Sequence, residues 1–448
     1  MAMSESKVAE SNTINDISRG IISKGEVGSF LVTDLAVVRD QLTLWKQELP
    51  NVMPMYAIKA NPDVRIISIL AKLGAGFDVA SAGEIGMVNT ELTKMYKQTL
   101  FSKDKDNNDD TQQSLDDLLS SRMVYANPCK QQKHLEYSMD NGVQLTVFDC
   151  SDELHKIAKT HAVRKEEGKA AKPLKLLLRL ATDDKDSVCP FSNKFGCKAG
   201  KDANHLVDLC DQLGLELGGV CFHVGSGCGD ATAYTIALEQ ALDLFEYAKD
   251  KYSFDMNTVD IGGGFPGDDV YGADLPDFKQ LASTIRQGLT NFPANVRFIA
   301  EPGRFFTSAA TSVCTKIYGR KTLTMQDEQI QGLTVDDGVY GTFNNILYDH
   351  YVATPEPLNY NSNNEHASVE AGADENVNII EEQKLTTAVW GPTCDGLDEL
   401  VAVSRNFKLP YSAIGDWLVW KNMGAYTHTA SFDFNGLTHR PNVHYINS

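Results

Sequence analysis

A lysine closes an apolar run in "PMYAIKAN" (54–61), where Met55, Tyr56, Ala57 and Ile58 lead into Lys59. Such a lysine either returns its charge to water at a strand end or stands at a pocket mouth to react with a carbonyl. Other chemistry-bearing residues close later runs. "CFHVGSGC" (221–228) carries His223 and Ser226, which taken singly also suit structural roles. "DIGGGFPG" (260–267) has three successive glycines, Gly262, Gly263 and Gly264. Such a run brings backbone N–H groups close to an anion such as a phosphate, or simply turns the chain. "EPGR" (301–304) supplies a carboxylate and, three residues on, a guanidinium. Arg304 suits a phosphate fork and Glu301 a protonated ring nitrogen, unless the two are a surface ion pair. One cofactor needs all of these groups. Pyridoxal phosphate requires a reactive lysine, phosphate donors, an acid for the pyridine nitrogen and a flat group over the ring. Lys59, the glycine run with Ser226 and Arg304, Glu301 and His223 fill those roles in that order.

The elements that must position these residues show as a rhythm. Eight short apolar runs recur at 54–60, 74–81, 123–129, 143–149, 174–180, 218–225, 258–264 and 296–303. Helical patterns separate most of them. Ile66, Ile67, Leu70 and Leu73 follow helical spacing before a capping Gly74, and 237–252 repeats the pattern. Eight strand-then-helix units predict an α/β chain built on a (β/α)8 TIM barrel, whose chemistry sits at the C-terminal strand ends. Lys59, Asp78, His223, the glycine run, Glu301 and Arg304 all fall there. After about residue 307 short alternating runs and aromatics predict a second, mostly β domain. The expected division is a cofactor-binding barrel over 33–306, with 1–32 and 307–448 forming the β domain. Two segments read as mobile insertions, the acidic 103–121 and the Asn- and Glu-rich 353–384.

Composition narrows the class. The chain has 448 residues, a net charge of −19 and 23% charged residues. That balance repels phosphate backbones and anionic lipid, so neither nucleic acid nor a membrane surface is expected as a partner. The N-terminal residues lack a signal-peptide core, and no run approaches the ~20 apolar residues that span a bilayer. Nine scattered cysteines without a CxxC pair predict free thiols in a reducing, cytoplasmic setting and no metal site.

The motifs also carry a family resemblance. "YAIKANPD", "FDVAS", "YANPCKQ", "KFG", "FHVGSGC", "DIGGGFPG", "AEPGRFF", "DDGVYGTFNNILYDH", "WGPTCDGLDEL", "GDWLVWKNMGAYT" and "FNG" occur in that order. They resemble the eukaryotic ornithine decarboxylases, pyridoxal-phosphate enzymes of the alanine-racemase fold, over about residues 30–446. The resemblance implies L-ornithine as substrate and putrescine with carbon dioxide as products. It makes Lys59 the Schiff-base lysine, His223 the ring-stacking group and Glu301 the partner of the ring nitrogen. Asp78, Arg179, Ser226, Gly263, Gly264, Gly303, Arg304 and Tyr426 would complete the cofactor site. Cys394 would guide protonation at Cα, and Tyr348, Asp349 and Asp395 would meet the substrate. The resemblance further implies a homodimer with shared active sites, Cys394 and Asp395 coming from the partner chain and Lys194 with Asp398 bridging the subunits. "KAN" and "VAS" replace the more usual "KCN" and "CAS". The acidic 103–121 lies where animal enzymes carry a basic antizyme-docking surface, and the chain stops soon after "FNG", so antizyme binding is not expected. Lysine, arginine or diaminopimelate decarboxylation are the alternatives within the family. Asp395 after the motif cysteine, and His350 in "YDH", favour ornithine. A non-catalytic regulator like the antizyme inhibitors is the alternative of a different class, opposed by the intact set Lys59, His223, Glu301, Arg304 and Cys394.

Overall fold

The structure is a computed structural model that describes residues 14–102, 114–169, 174–267, 275–325, 328–358, 384–438 and 440–447. The chain divides into two compact units. One holds Val37–Gly267 and Ala273–Thr307, and the other holds the chain up to Ala36 and from Ser308 onward.

The first unit is a closed barrel. After β1 (Phe30–Asp34), the strands β2 (Val52–Ala57), β3 (Gly76–Val79), β4 (Met123–Tyr125), β5 (Leu145–Phe148), β6 (Lys175–Leu180), β7 (Glu216–Phe222), β8 (Thr258–Asp260) and β9 (Arg297–Ala300) follow in chain order. β2 to β9 close on themselves, and every neighbouring pair is parallel. Each strand falls on one of the eight apolar runs. Parallel strands buried on both faces read as continuous apolar stretches, which is why the runs were legible. Met55, Val124, Leu145, Val147, Leu177, Cys221 and Ile299 fill the barrel interior.

Local signals set the helix ends. The helix Val64–Lys72 starts at Asp63, whose carboxylate accepts the Arg65 N–H at 2.8 Å. It ends in Gly74 at φ +97°, with Gly74 N donating to Ala71 O and Ala75 N to Leu70 O. Leu73, expected on the apolar stripe, is instead 39% exposed beyond the helix end. Thr232–Lys251 buries Ala237, Leu238, Ala241, Leu244, Phe245 and Ala248 along one face.

The insertion expected over 103–121 needs correction in its second half. Residues 114–121 are ordered: Leu115–Arg122 is a helix, Ser114 caps it by accepting the Asp117 N–H, and Leu118 and Leu119 are buried. The composition hid it because Asp116 and Asp117 and three serines surround only two buried leucines. Residues 103–113 lie outside the described residues, as do 359–383 of the second expected insertion.

In the other unit, β1 is joined by β10 (Thr311–Met325), β11 (Glu328–Val335), β12 (Glu356–Pro357), β13 (Lys384–Trp390), β14 (Glu399–Val401), β15 (Lys408–Pro410), β16 (Trp417–Trp420) and β17 (Asn442–Ile446). They form one mixed sheet with the path β12-β16-β10-β11-β13-β14, and β1 lies between β10 and β17. The long β10 changes partners along its length, from β1 and β16 to β11, and its register with β11 slips between Ile317 and Gly319. Phe30, Val32, Cys314, Leu358, Trp417 and Val419 make its core, with Ile14, Ile17, Ile21 and Ile22 packed against them from a helix over 14–23.

Candidate active site

Alternation along the barrel strands builds the site. Side chains two residues apart face the same way. The apolar interior includes Leu177, Cys221 and Ile299. Two residues further along each strand stand Arg179, His223 and Glu301. The register sets Arg179 beside Cys221, Cys221 beside Asp260 and Asp260 beside Ile299. A polar layer therefore begins where the apolar plug ends, at the C-terminal rim.

Lys59 lies in a short 3-10 turn, Ile58–Ala60, directly after β2 rather than in the strand itself. Ala57 registers with Asp78. The Lys59 Nζ donates to Asp78 Oδ2 at 3.2 Å, with the lysine side chain 47% exposed and the aspartate 1%. A buried carboxylate thus aims an accessible amine. Glu84 stands behind the pair and accepts the Ala80 N–H at 2.6 Å. Burial pushes its carboxyl up, and the charge of Asp78 adds to that while Lys59 opposes it.

On the other side of β2, at the ends of β9 and β8, two carboxyls interact. Glu301 and Asp260 are 8% and 0% exposed. Burial foremost, then the charges of Asp260 and Asp78, push the Glu301 carboxyl well above the usual range. Asp260 is pushed up to about 7, again chiefly by burial, while the Gly262 N–H and Glu301 hold it down. Two buried acids in contact keep one proton between them.

His223 is neutral at physiological pH. Burial lowers its pKa well below the ordinary value, and the positive charges of Arg179 and Lys59 lower it further. Its Nδ1 accepts the Gly225 N–H at 3.0 Å, which leaves the proton on Nε2. Phe191 packs edge-on against the imidazole, centroids 5.0 Å apart.

The glycine run locks against this corner. A Cβ on Gly262, at φ +64°, would collide with the Phe222 carbonyl oxygen; one on Gly263 would sit 2.6 Å from His223 Nε2; one on Gly264, at φ +107°, 2.7 Å from Gly225 O. The Tyr234 hydroxyl pins Gly263 by donating to its carbonyl at 2.8 Å. Arg304 Nη2 lies 3.4 Å from Ser226 Oγ, and the arginine is 4% exposed. Gly303 is buried beside it. This is a backbone cradle closed to side chains, with a guanidinium and a hydroxyl facing each other. Together with the aimed amine and the buried acid, it fits pyridoxal phosphate.

The remaining expected residues, apart from Lys194, lie in the β unit. Tyr348 is 65% exposed, and Asp349, at the end of the helix Asn345–Tyr348, is 7% exposed. Cys394 is an exposed free thiol whose backbone N–H donates to Asn435 Oδ1 at 3.1 Å. Its neighbour Asp395 accepts the Tyr340 hydroxyl, a bond that lowers the Asp395 pKa and helps push Tyr340 up to about 12. Tyr340 stacks on Phe434 at 4.1 Å. Asp398 is buried, accepting from Val339 N, Thr393 N and Thr393 Oγ1 at 2.7–2.9 Å. Tyr426 sits at φ +56°, a conformation a bulky residue takes only under constraint. Lys194 lies over the Phe195 ring in the barrel unit. Sequence reasoning missed Asp260, Glu84 and Tyr340. The Asp in "VDIGGG" was the available signal, since an acid closing a buried strand demands a partner.

The fold and this rim define a barrel enzyme of the pyridoxal-phosphate class. Residues 35–308 match the family model described as "Pyridoxal-dependent decarboxylase, pyridoxal binding domain". The chain belongs to the pyridoxal-dependent decarboxylases, and pyridoxal phosphate is its cofactor. It is 36% identical to ornithine decarboxylase of Mus musculus, an alignment covering 97% of this chain and 83% of that one. It is also 36% identical to antizyme inhibitor 2 of Xenopus laevis, over 93% of this chain and 80% of the relative. Among solved structures, the arginine decarboxylase of Paramecium bursaria Chlorella virus matches 96% of this chain and all of its own, with a TM-score of 0.77 and 27% identity. No helix among the described residues is long and apolar enough to cross a membrane.

Proposed function

We propose that the chain is an ornithine decarboxylase, converting L-ornithine to putrescine and carbon dioxide at the start of polyamine biosynthesis. The observation that carries this is the rim layer: Lys59 on Asp78, Glu301 on Asp260, and neutral His223 against the glycine run. It occurs in a chain that aligns along 97% of its length with an ornithine decarboxylase. Pyridoxal phosphate, when bound, supplies the electron sink for the pair left on Cα as the carboxylate departs.

Lys59 is the attachment point, and Asp78 orients its amine. Ser226, Gly263, Gly264, Gly303, Arg304 and Tyr426 would hold the phosphate, with Arg179 at the same rim. Glu301 would meet the ring nitrogen. In the buried pair its proton is mobile, so it can present a negative charge where a cation must be held. Asp260 keeps Glu301 in place through their hydrogen bond and can accept that proton. His223 offers a flat neutral face. On this reading Cys394 moves a proton at Cα, while Tyr348, Asp349 and Asp395 bind the substrate, Asp395 being held ionised by Tyr340. A distal ammonium is matched by such carboxylates in a desolvated site. The working form is a cytoplasmic homodimer in which Cys394 and Asp395 serve the other chain's barrel. Asp398 has one lone pair left for Lys194 across the interface.

Carbon dioxide release from ornithine, lysine, arginine and diaminopimelate, measured side by side, tests the reading. Ornithine should show the highest kcat/KM by at least about tenfold, since a site built for one chain length leaves a shorter or longer substrate's charge mispaired. A higher value for lysine or arginine would reassign the substrate. No release from any of them by cofactor-loaded protein would favour a regulator of the antizyme-inhibitor kind.

A further inference from the structure

Two thiols outside the catalytic layer share one corner of the barrel rim. Cys129 and Cys150 are both free and exposed. Cys129 follows β4 and Cys150 follows β5, which are adjacent parallel strands with Tyr125 registered on Thr146. Each cysteine lies four residues beyond its member of that pair. Where they pair, parallel neighbours run about 4.8 Å apart, a spacing a disulfide can bridge, although the pairing itself ends at Tyr125.

The segments stay together past the strand ends because Lys130 ties them. Its ammonium is buried and donates to the Val147 carbonyl at 2.6 Å, and it pairs with Glu153 Oε1 at 3.0 Å. The Lys130 backbone N–H reaches the same carboxylate at 3.4 Å. Lys156 closes the knot by donating to the Lys130 carbonyl and pairing with Glu153. The knot sits one residue after Cys129 and three after Cys150, at the start of the helix Ser151–Glu166. Separating the segments would strand a buried lysine and glutamate, so the two thiols are held as neighbours. The Cys150 thiol registers this: partial burial raises its pKa most, a hydrogen bond from the Glu153 backbone opposes that, and the charges of Asp149, Glu153 and Cys129 raise it further.

We infer that Cys129 and Cys150 form a redox-active thiol pair that closes to an intrachain disulfide when a small-molecule disulfide such as oxidised glutathione is present. One cysteine thiolate attacks a glutathione sulfur, breaks its S–S bond and releases one glutathione thiolate. The second cysteine thiolate then attacks the mixed disulfide and releases the other. Two cysteine thiols lose their protons and are oxidised, and one glutathione disulfide is reduced to two thiols. The bond would staple the loop after β4 to the N-terminus of the helix Ser151–Glu166.

The test exposes the full-length, cofactor-loaded protein to oxidised glutathione, blocks the remaining thiols and maps disulfides by non-reducing digestion and mass spectrometry. Trypsin cuts after Lys130 and Lys133, so the two cysteines fall on separate peptides. The expected product is a linked Cys129–Cys150 peptide pair that forms before any other protein disulfide and vanishes on reduction. Cys129→Ser and Cys150→Ser should each abolish it and leave a glutathione adduct on the surviving thiol. Glutathione adducts on both wild-type cysteines with no linked pair would overturn the inference. So would preferential linkage of either one to a third cysteine.

Discussion

At the scale of single residues, the acid pair at the rim makes the sharpest claims. Glu301→Gln keeps the shape but removes the ability to carry a charge at the ring nitrogen. With cofactor bound, kcat should fall by about 10²–10³-fold, the usual loss when one preorganised electrostatic group is removed; a near-normal rate would mean another acid holds that nitrogen. Asp260 can be tested without turnover. Its folded pKa of about 7 lies above the ordinary carboxylate value of about 4. Between those values the folded chain binds a proton that the unfolded chain does not, so the stability of cofactor-free protein should fall as pH rises from about 4 to 7. Asp260→Asn should make that decline shallower, leaving the part due to the buried Glu301. Melting temperatures of both proteins across the window check it, and parallel slopes would refute the assignment. The sequence disclosed Lys59, His223, Glu301 and Arg304, because each is chemically out of place at the end of an apolar run. Asp260 was hidden. Its meaning comes from strand register, which sets it beside Ile299 and so next to Glu301, forty-one residues away in the chain.

At the scale of elements, the barrel was readable because buried parallel strands leave uninterrupted apolar runs, and the capping of Val64–Lys72 by Asp63 and Gly74 follows standard helix signals. The short helix Leu115–Arg122 escaped because its burial rests on Leu118 and Leu119 alone. The glycine run is an element in its own right, and it fixes the distance between β7's end and β8's end. Gly263→Ala places a methyl 2.6 Å from His223 Nε2 and 3.0 Å from the Glu301 carbonyl oxygen. The imidazole must swing away, and the overpacking should cost about 1–3 kcal/mol. Cofactor affinity, measured by equilibrium dialysis, should drop at least about fivefold for a loss at the low end of that range. Far-ultraviolet circular dichroism should stay unchanged, since no strand pairing is touched. Wild-type affinity in a folded Gly263→Ala protein would show that the run is only a turn.

At the scale of the whole molecule, the candidate residues are divided between two units, with Lys59 in the barrel and Cys394 in the β unit. The proposed homodimer makes that division testable. If each pocket takes Lys59 from one chain and Cys394 from the other, a two-fold dimer has two composite sites. Lys59→Ala and Cys394→Ala homodimers should then both be poor enzymes, each carrying the same defect in both pockets. Subunit exchange between them creates mixed dimers. In a mixed dimer one pocket receives both defects and the other receives neither. Random exchange of equal amounts makes about half the dimers mixed, each with one sound site in two, so activity should recover to about a quarter of wild type by symmetry counting. Native mass spectrometry confirms that exchange has occurred, and carbon dioxide release from ornithine reads the outcome. Complete exchange with no recovery would mean that Lys59 and Cys394 serve one pocket from a single chain, and the shared-site dimer would have to be abandoned.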